Sequence, residues 1–350
     1  MALTIEQRRA RWKRRNARKR LVQPSYGQGV KRAVVFGGAG FIGCHLVERL
    51  RREGYWVRAV DRNYPADPTK ADEFMLGDLR DPRFVARALR GGVDELYQLA
   101  AEMGGAGFIF SGKNDAAILH DSALINLHTA RAAHTCNVQK LFFSSSACVY
   151  ARHNQTDPDF VCCEEASVYP ADPDSEYGWE KLFAERTYLA HARNHRLEVK
   201  IARLHNVYGP GNAYDGGREK APAALCRKVA EASDGGEIEI WGNGKQARSF
   251  LYVADCIDGI RALMQSSCPG PVNIGSERMI RLDDFARLVM RAAGRTLTLK
   301  HVPGPLGVHV RTSDNTLMRA ATGWEPRVSL EEGIRQTYQW VSDCIARGEE

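Results

Sequence analysis

No run of about 18 or more apolar residues, the length that crosses a bilayer as a helix, occurs in this 350-residue chain. Its start carries a basic stretch where a signal peptide would need an apolar core. Neither membrane spanning nor Sec-type secretion is therefore expected, and the cytoplasm is the expected location. Cys-x-x-Cys pairs are missing as well. The nine cysteines, at positions 44, 136, 148, 162, 163, 226, 256, 268 and 344, are odd in number and have no histidine at zinc-ligand spacing, so neither a disulfide framework nor a metal site is expected. Most should be small buried hydrophobes. The sequence holds no internal repeat and, past residue 30, no low-complexity tract.

Acidic residues are scarce only at the beginning. Residues 1–20 hold nine Lys or Arg against the single acid Glu6, a charge of +8 in a chain whose formal total is +7, which leaves the other 330 residues at about −1. The basic character belongs to an arm, residues 1–30, read as solvated and flexible. RNA, acidic lipid, a partner subunit or an organelle address are its alternatives. The globular body offers no basic surface of the kind nucleic acid needs, so nucleic acid is not an expected partner. With 44% hydrophobic and 26% charged residues, the chain has the balance of an ordinary globular protein.

From residue 31, short β-branched or aromatic runs alternate with helical stretches, the order of βαβ units on a parallel sheet. Strands are predicted at Arg32–Phe36, Trp56–Val60, Phe74–Leu76, Glu95–Ala100, Lys140–Ser145 and Glu198–Leu204, with helices at Phe41–Arg52, 115–136 and 176–194. After 205 come Gly/Pro-rich turns and a helix near 221–232. Further segments follow at Glu237–Trp241, Phe250–Gln265, Pro271–Ile274, Leu282–Ala293 and Leu330–Ile345. The expected fold is α/β. A Rossmann-type doubly wound parallel sheet over 31–205 binds a dinucleotide, and a smaller C-terminal α/β substrate-binding domain over 206–350 returns some segments to that sheet.

Gly37-Gly38-Ala39-Gly40-Phe41-Ile42-Gly43 follows the first strand directly and opens a helix, the setting a dinucleotide pyrophosphate requires. Gly37 permits the tight turn, Gly40 lets backbone N–H groups approach the phosphates, and Gly43 allows helix and sheet to pack closely. Asp61, about 20 residues on, is placed to accept from the adenosine ribose hydroxyls and to repel a 2′-phosphate, which favours NAD over NADP. Its neighbour Arg62 pulls the other way. Gly77-Asp78-Leu79 is placed to meet the adenine, the alternative for Asp78 being a helix N-cap for the segment from Pro82. Leu99-Ala100-Ala101 ends the fourth strand near the nicotinamide half.

Tyr177 and Lys181 stand four apart in a predicted helix and share a face, with Cβ atoms about 5–6 Å apart. A free phenol titrates near ~10, too high for a base at neutral pH, and a neighbouring ammonium is expected to lower it by favouring phenolate. The pair can then take a proton from a sugar hydroxyl while hydride leaves its carbon. Ser144-Ser145-Ser146 ends the preceding strand, and the Ser146 hydroxyl can orient the same oxygen.

Through Gly37 to Gly43, Asp61, Asp78, Ser146, Tyr177 and Lys181, the chain resembles the extended short-chain dehydrogenase/reductase family of nucleotide-sugar enzymes, the NAD-dependent epimerases and dehydratases. The resemblance covers about residues 31–345. Within that family it is most similar to the GDP-mannose 3,5-epimerase branch. This likeness rests on Ala101-Glu102-Met103-Gly104-Gly105-Ala106-Gly107-Phe108-Ile109, Ser145-Ser146-Ala147-Cys148-Val149-Tyr150, His205-Asn206-Val207-Tyr208-Gly209-Pro210 and, most of all, Gly216-Gly217-Arg218-Glu219-Lys220-Ala221-Pro222. The resemblance implies tightly bound, recycled NAD, a nucleotide-diphosphate sugar as substrate (GDP-mannose in this branch), and a homodimer formed through the helices near 115–136 and 176–194. It also implies a nucleotide-sugar site lined by Gly104, Ser145, Ser146, Cys148, Tyr177, Asn206, Glu219, Lys220, Lys228, Gln246, Arg248, Ser249 and Arg311. Lys228 and Arg311 suit a diphosphate because fixed cations pair well with phosphate oxygens; a surface ion pair is their alternative.

The chemistry gives the cysteine and the second lysine a purpose. Oxidising a hexose at C4 makes a ketone that acidifies the hydrogens on C3 and C5, and inversion needs a base on one face of the ring and an acid on the other. Cys148, two residues past Ser146, is expected by strand alternation to point into the site, where a nearby cation would favour its thiolate. Lys220, on the glycine-flanked loop, is expected to supply the opposing proton, as the matched lysine does in the resembling branch. A buried core thiol and a phosphate-binding lysine are the alternatives. A 4,6-dehydratase is disfavoured because Ser146-Ala147-Cys148 replaces the acids it needs. A 4-epimerase is the nearer rival, and a non-catalytic NAD-binding scaffold with a basic arm is the remote one.

Overall fold

The computed structural model describes residues 29–65, 69–157, 163–305 and 307–348. The basic arm expected over 1–30 lies outside them except for its last two residues. Seven strands, β1 (Arg32–Phe36), β2 (Trp56–Asp61), β3 (Glu73–Leu76), β4 (Glu95–Gln98), β5 (Lys140–Ser146), β6 (Glu198–Leu204) and β7 (Val272–Ile274), form one sheet in the order β7-β6-β5-β4-β1-β2-β3. The β1–β2, β1–β4, β2–β3, β4–β5 and β6–β7 pairings are parallel. Ala33, Val34, Val35 and Phe36 of β1 are all buried, the continuous apolar run of a strand covered on both faces. Strand order reverses between β1 and β4, and in such sheets the ligand crevice opens at the carboxyl ends beside that reversal.

The chain divides into two compact units that interleave along the sequence. The first comprises residues 1–101, 121–144 and 186–200; the second comprises 102–120, 145–185 and 201–350. A single cut near 205 is therefore not observed. The second unit takes up the chain after β4, at the end of β5 and within β6, because the segments that carry polar chemistry grow from strand carboxyl ends.

In the first unit, helix α1 (Phe41–Arg52) buries Gly43, Leu46, Val47 and Leu50, one face at helical spacing, and its last turn holds Arg49, Arg51 and Arg52, where cations meet the negative end of the helix dipole. In the second unit, strand Ala247–Ser249 lies between Met279–Arg281, antiparallel, and Val310–Arg311, parallel, a register that pairs Arg311 with Arg248. Strand Glu237–Trp241 pairs with Thr298–Val302. Among the described residues no helix is long and apolar enough to cross a membrane.

Candidate active site

The first unit holds the glycine turn expected to meet a dinucleotide. Gly37 leaves β1 at φ +78°, and the N–H groups of Gly37 and Gly38 both donate to the Val60 carbonyl of β2, at 2.9 and 3.1 Å. Gly40 is the N-cap of α1 and makes no side-chain capping bond, so the N–H groups of Phe41, Ile42 and Gly43 have no partner inside the helix and point toward an anion. A Cβ on Gly43 would lie 2.0 Å from the Gly37 carbonyl oxygen, so only glycine lets the helix start this close to the turn. Asp61 ends β2. Its Oδ2 accepts the Ala39 N–H at 3.1 Å and its Oδ1 the Asn63 N–H at 3.0 Å, so it braces the glycine turn. Burial pushes the Asp61 carboxyl up against those bonds, an environment that further donors such as ribose hydroxyls would relieve. The turn, the open helix end and the carboxylate fit a dinucleotide, and Arg62 beside them is exposed.

Gly43→Ala is expected to force helix and turn apart at a cost of about 1–3 kcal/mol, the range for an overpacked contact. That corresponds to roughly 5- to 150-fold weaker NAD binding, read by calorimetry on the otherwise folded protein.

Two expectations in this unit change. Asp78 forms an ion pair with Arg80 at 2.6 Å, and Arg80 also holds Asp121 at 2.7 Å, so the Asp78 carboxylate is already engaged. It is not the N-cap of Pro82–Ala88 either. That position belongs to Asp81, which accepts the Arg83 N–H at 2.8 Å, with Pro82 at the first helical position. Leu79 is buried. The fourth strand stops at Gln98 rather than Ala100 because the Gln98 side chain donates to the Ala100 carbonyl at 2.9 Å and accepts its N–H at 3.2 Å, which takes both groups out of the ladder. Leu99, Ala100 and Ala101 are half-buried beyond the strand end.

The second unit holds the titratable cluster. Strand β5 ends at Ser146, and Ala147–Val149 is a 3-10 turn in which the Ser146 hydroxyl accepts the Cys148 N–H at 3.2 Å. Strand alternation is therefore not what aims Cys148; the capped turn does. Helix α2 (Glu176–His195) brings up Tyr177 and Lys181, with the ammonium 5.7 Å from the phenol ring centroid. A Cβ on Gly178 would lie 2.1 Å from the Cys148 carbonyl oxygen, so this glycine is what lets the helix touch the Cys148 turn.

Burial pushes the Tyr177 phenol above its usual range, reinforced by Cys148 and Glu180, and only a Ser146 hydrogen bond draws it back. Burial, rather than the Lys181 ammonium that the sequence pointed to, sets the direction of that shift. Burial disfavours the Lys181 charge too, against the pull of Glu180, Glu185 and Cys148. Lys220, N-cap of Ala221–Glu231, is lowered by burial, with Cys148 and Cys256 acting against that shift. Arg248 is lowered to about 10, by burial first and then by Arg311.

Ser146, Cys148, Tyr177, Lys181, Lys220, Arg248 and Arg311 thus form one electrostatic group. Asn206, at φ +40°, donates to the Ser249 carbonyl at 2.9 Å. Glu219 Oε2, Gln246 Oε1 and Ser249 Oγ are buried polar atoms with no hydrogen-bond partner among the described residues, the condition a polar ligand would relieve. Gly104 is buried beside Phe108.

Three expected substrate contacts have partners within the protein. The Ser145 hydroxyl donates to Glu185 at 2.5 Å, inside a buried Glu185–Arg203 ion pair. The Lys228 ammonium donates to the Glu239 carbonyl at 2.7 Å. Arg311 donates to Cys148, Gln155 and Asp174. Sequence reasoning missed Gln155, Asp174 and Gly178 altogether. The Arg218–Glu102 ion pair, at 2.6 Å, was missed as well; it ties the Lys220 loop to the segment after β4.

The NAD dependent epimerase/dehydratase family matches residues 33–275. The chain belongs to that family. It is 38% identical over 316 residues to GDP-mannose 3,5-epimerase of Arabidopsis thaliana, covering 89% of this chain and 82% of that one. It is 27% identical to UDP-glucuronic acid decarboxylase 1 of Xenopus tropicalis, covering 89% and 72%. Among solved structures it resembles the Thermus thermophilus UDP-glucose 4-epimerase complex with NAD, at TM-score 0.77 and 26% identity over 89% of this chain and 98% of that one. As an NAD-dependent epimerase/dehydratase, the protein carries the glycine turn that fits a dinucleotide in the first unit and the Ser146, Cys148, Tyr177, Lys181 and Lys220 cluster in the second.

Proposed function

We propose that this enzyme inverts the carbons flanking C4 of a nucleotide sugar, with GDP-mannose as substrate and GDP-L-galactose, GDP-L-gulose or both as products. The observation that carries the reading is Cys148, a half-buried thiol on the Ser146-capped turn, packed against the cluster that holds Tyr177 and accepting from Arg311 at 3.2 Å. The identity with the Arabidopsis epimerase supports the same substrate. NAD, when bound, supplies the acceptor that takes hydride from C4 and later returns it.

Tyr177, as phenolate, takes the O4 proton during that oxidation, with Ser146 steadying the oxygen. Cys148, as thiolate, then takes a proton from C3 or C5, and the C–H electron pair passes into the C4 carbonyl as an enolate. The Lys220 ammonium returns a proton to the opposite face, leaving a thiol and a neutral amine. A proton passing from Cys148 back to Lys220 through solvent resets both. Burial makes Lys220 a willing donor, because its charge is disfavoured where it stands. The homodimer draws support from Leu119, Leu127, Trp179 and Phe183, large apolar side chains left exposed on the two long helices.

Incubation with GDP-mannose in D₂O is expected to place deuterium on C3 and C5 without net reduction of NAD. A panel of nucleotide sugars run in parallel identifies the base and hexose. Inversion at C4 with no deuterium on carbon would replace this reading by a 4-epimerase, and no turnover of any sugar would remove it.

A further inference from the structure

Arg311 occupies a position that the diphosphate role does not explain. Its Nη1 donates to the Cys148 sulfur at 3.2 Å, its Nη2 to Asp174 Oδ2 at 3.3 Å and its Nε to Gln155 Oε1. The ion pair is buried, with the Arg311 and Asp174 side chains 7% and 5% exposed, and Cys148 is half-buried beside it. Gln155 is itself locked, because its amide donates to the Tyr150 and Ala151 carbonyls at 3.0 and 3.1 Å. The guanidinium fork is therefore oriented from behind by two fixed acceptors, and what it presents to the site is the bond to sulfur. A guanidinium serves this better than an ammonium, since its planar donors can engage three partners at fixed angles.

We propose that Arg311, held by Gln155 and Asp174, is the positioning residue that keeps the Cys148 sulfur as an aimed thiolate, and that it is not a ligand of the diphosphate. The inference rests on the epimerase reading only for what the thiolate is used for. The groups facing Cys148 come from four elements: Tyr177 and Lys181 on α2, Lys220 at the start of Ala221–Glu231, and Arg248 and Arg311 on two paired strands. Of the acids, Asp174 faces Arg311, while Glu180 and Glu185 act on Lys181. Arg311 is the one that donates directly to the sulfur in the hydrogen bonds described above, while Arg248 donates to the Ala247 and His309 carbonyls at 2.8 and 2.9 Å.

The test is alkylation of Cys148 by iodoacetamide in the full-length protein, followed by mass spectrometry, with exposed Cys44 as internal standard. At pH 7 the R311Q variant is expected to label Cys148 at least about tenfold more slowly than wild type, since the thiolate is the nucleophile, with R311K in between. The gap should close toward pH ~10, where an ordinary thiol is ionised without help. In turnover, the loss should fall on kcat rather than on KM for GDP-mannose. Equal labelling of R311Q and wild type at pH 7, or a loss confined to KM, overturns the proposal. Should R311Q fail to retain NAD, R311K carries the same comparison, and labelling at the wild-type rate with raised KM overturns it there too. The readouts separate the two claims: absent carbon deuterium in wild type would sink the epimerase reading, while the labelling ratio would still judge Arg311.

Discussion

Cys148→Ser is expected to abolish deuterium incorporation at C3 and C5, by roughly 10²–10⁴-fold, while the protein keeps its NAD and still oxidises C4. Serine preserves the size of the side chain and the backbone N–H that the Ser146 hydroxyl accepts, so the turn survives, and only the acidity of the group changes. A hydroxyl does not ionise near neutral pH, so no carbon base is left. Lys220→Ala should lose inversion by a similar factor. The lysine side chain makes no capping bond to Ala221–Glu231, so its removal leaves the helix start intact. The measurement is mass-spectrometric deuterium content alongside near-ultraviolet absorbance of the bound cofactor. Loss of both signals in Cys148→Ser would mean that the thiol serves oxidation and not the carbon acids.

The second large effect is expected from Tyr177→Phe, which should slow C4 oxidation itself by roughly 10²–10⁴-fold and leave nothing downstream to label. The pH dependence follows from the environment of the phenol. A base works when deprotonated, so the rate rises with pH, and burial displaces that rise upward while the Ser146 bond pulls it down. Ser146→Ala removes the downward pull, so the rising limb should move to higher pH. Lys181 acts oppositely, since it helps only while protonated and its proton is loosened by burial, so its falling limb should come earlier than an ordinary lysine would give. The pH profile of substrate-driven NAD reduction reads both limbs. A Ser146→Ala limb that stays in place would separate that serine from the phenol.

The cofactor half was legible because its signals are local. A buried β-branched run, a glycine turn and a helix follow one another within twenty-one residues, Arg32 to Arg52, and both element boundaries there agree with the structure. The Asp81 cap was legible too, since it stands immediately before Pro82, but Asp78 drew the attention instead. The substrate half was legible as a list of side chains and not as a geometry. Three consecutive serines do not say which hydroxyl faces Glu185 and which faces Tyr177; the 3-10 turn after β5 and the long-range Arg203–Glu185 pair decide it. Arg311 reaches Cys148 across 163 positions of sequence, from a strand of two residues, too short to show alternation. Gln155 closes a four-residue 3-10 turn and Asp174 stands in a loop, neither long enough to give a periodic signal.

Gly178 makes the phenol proposed to start the oxidation and the thiol proposed to start the carbon chemistry share one van der Waals joint, the helix at Tyr177 resting on the carbonyl of Cys148. The two tools cannot be re-aimed independently. A hexose whose ring must tilt to reach the phenol tilts by the same amount against the thiol, so acceptance of a sugar is a single geometric decision. Evolution toward another configuration would have to move this joint as a block or give up one of the two reactions.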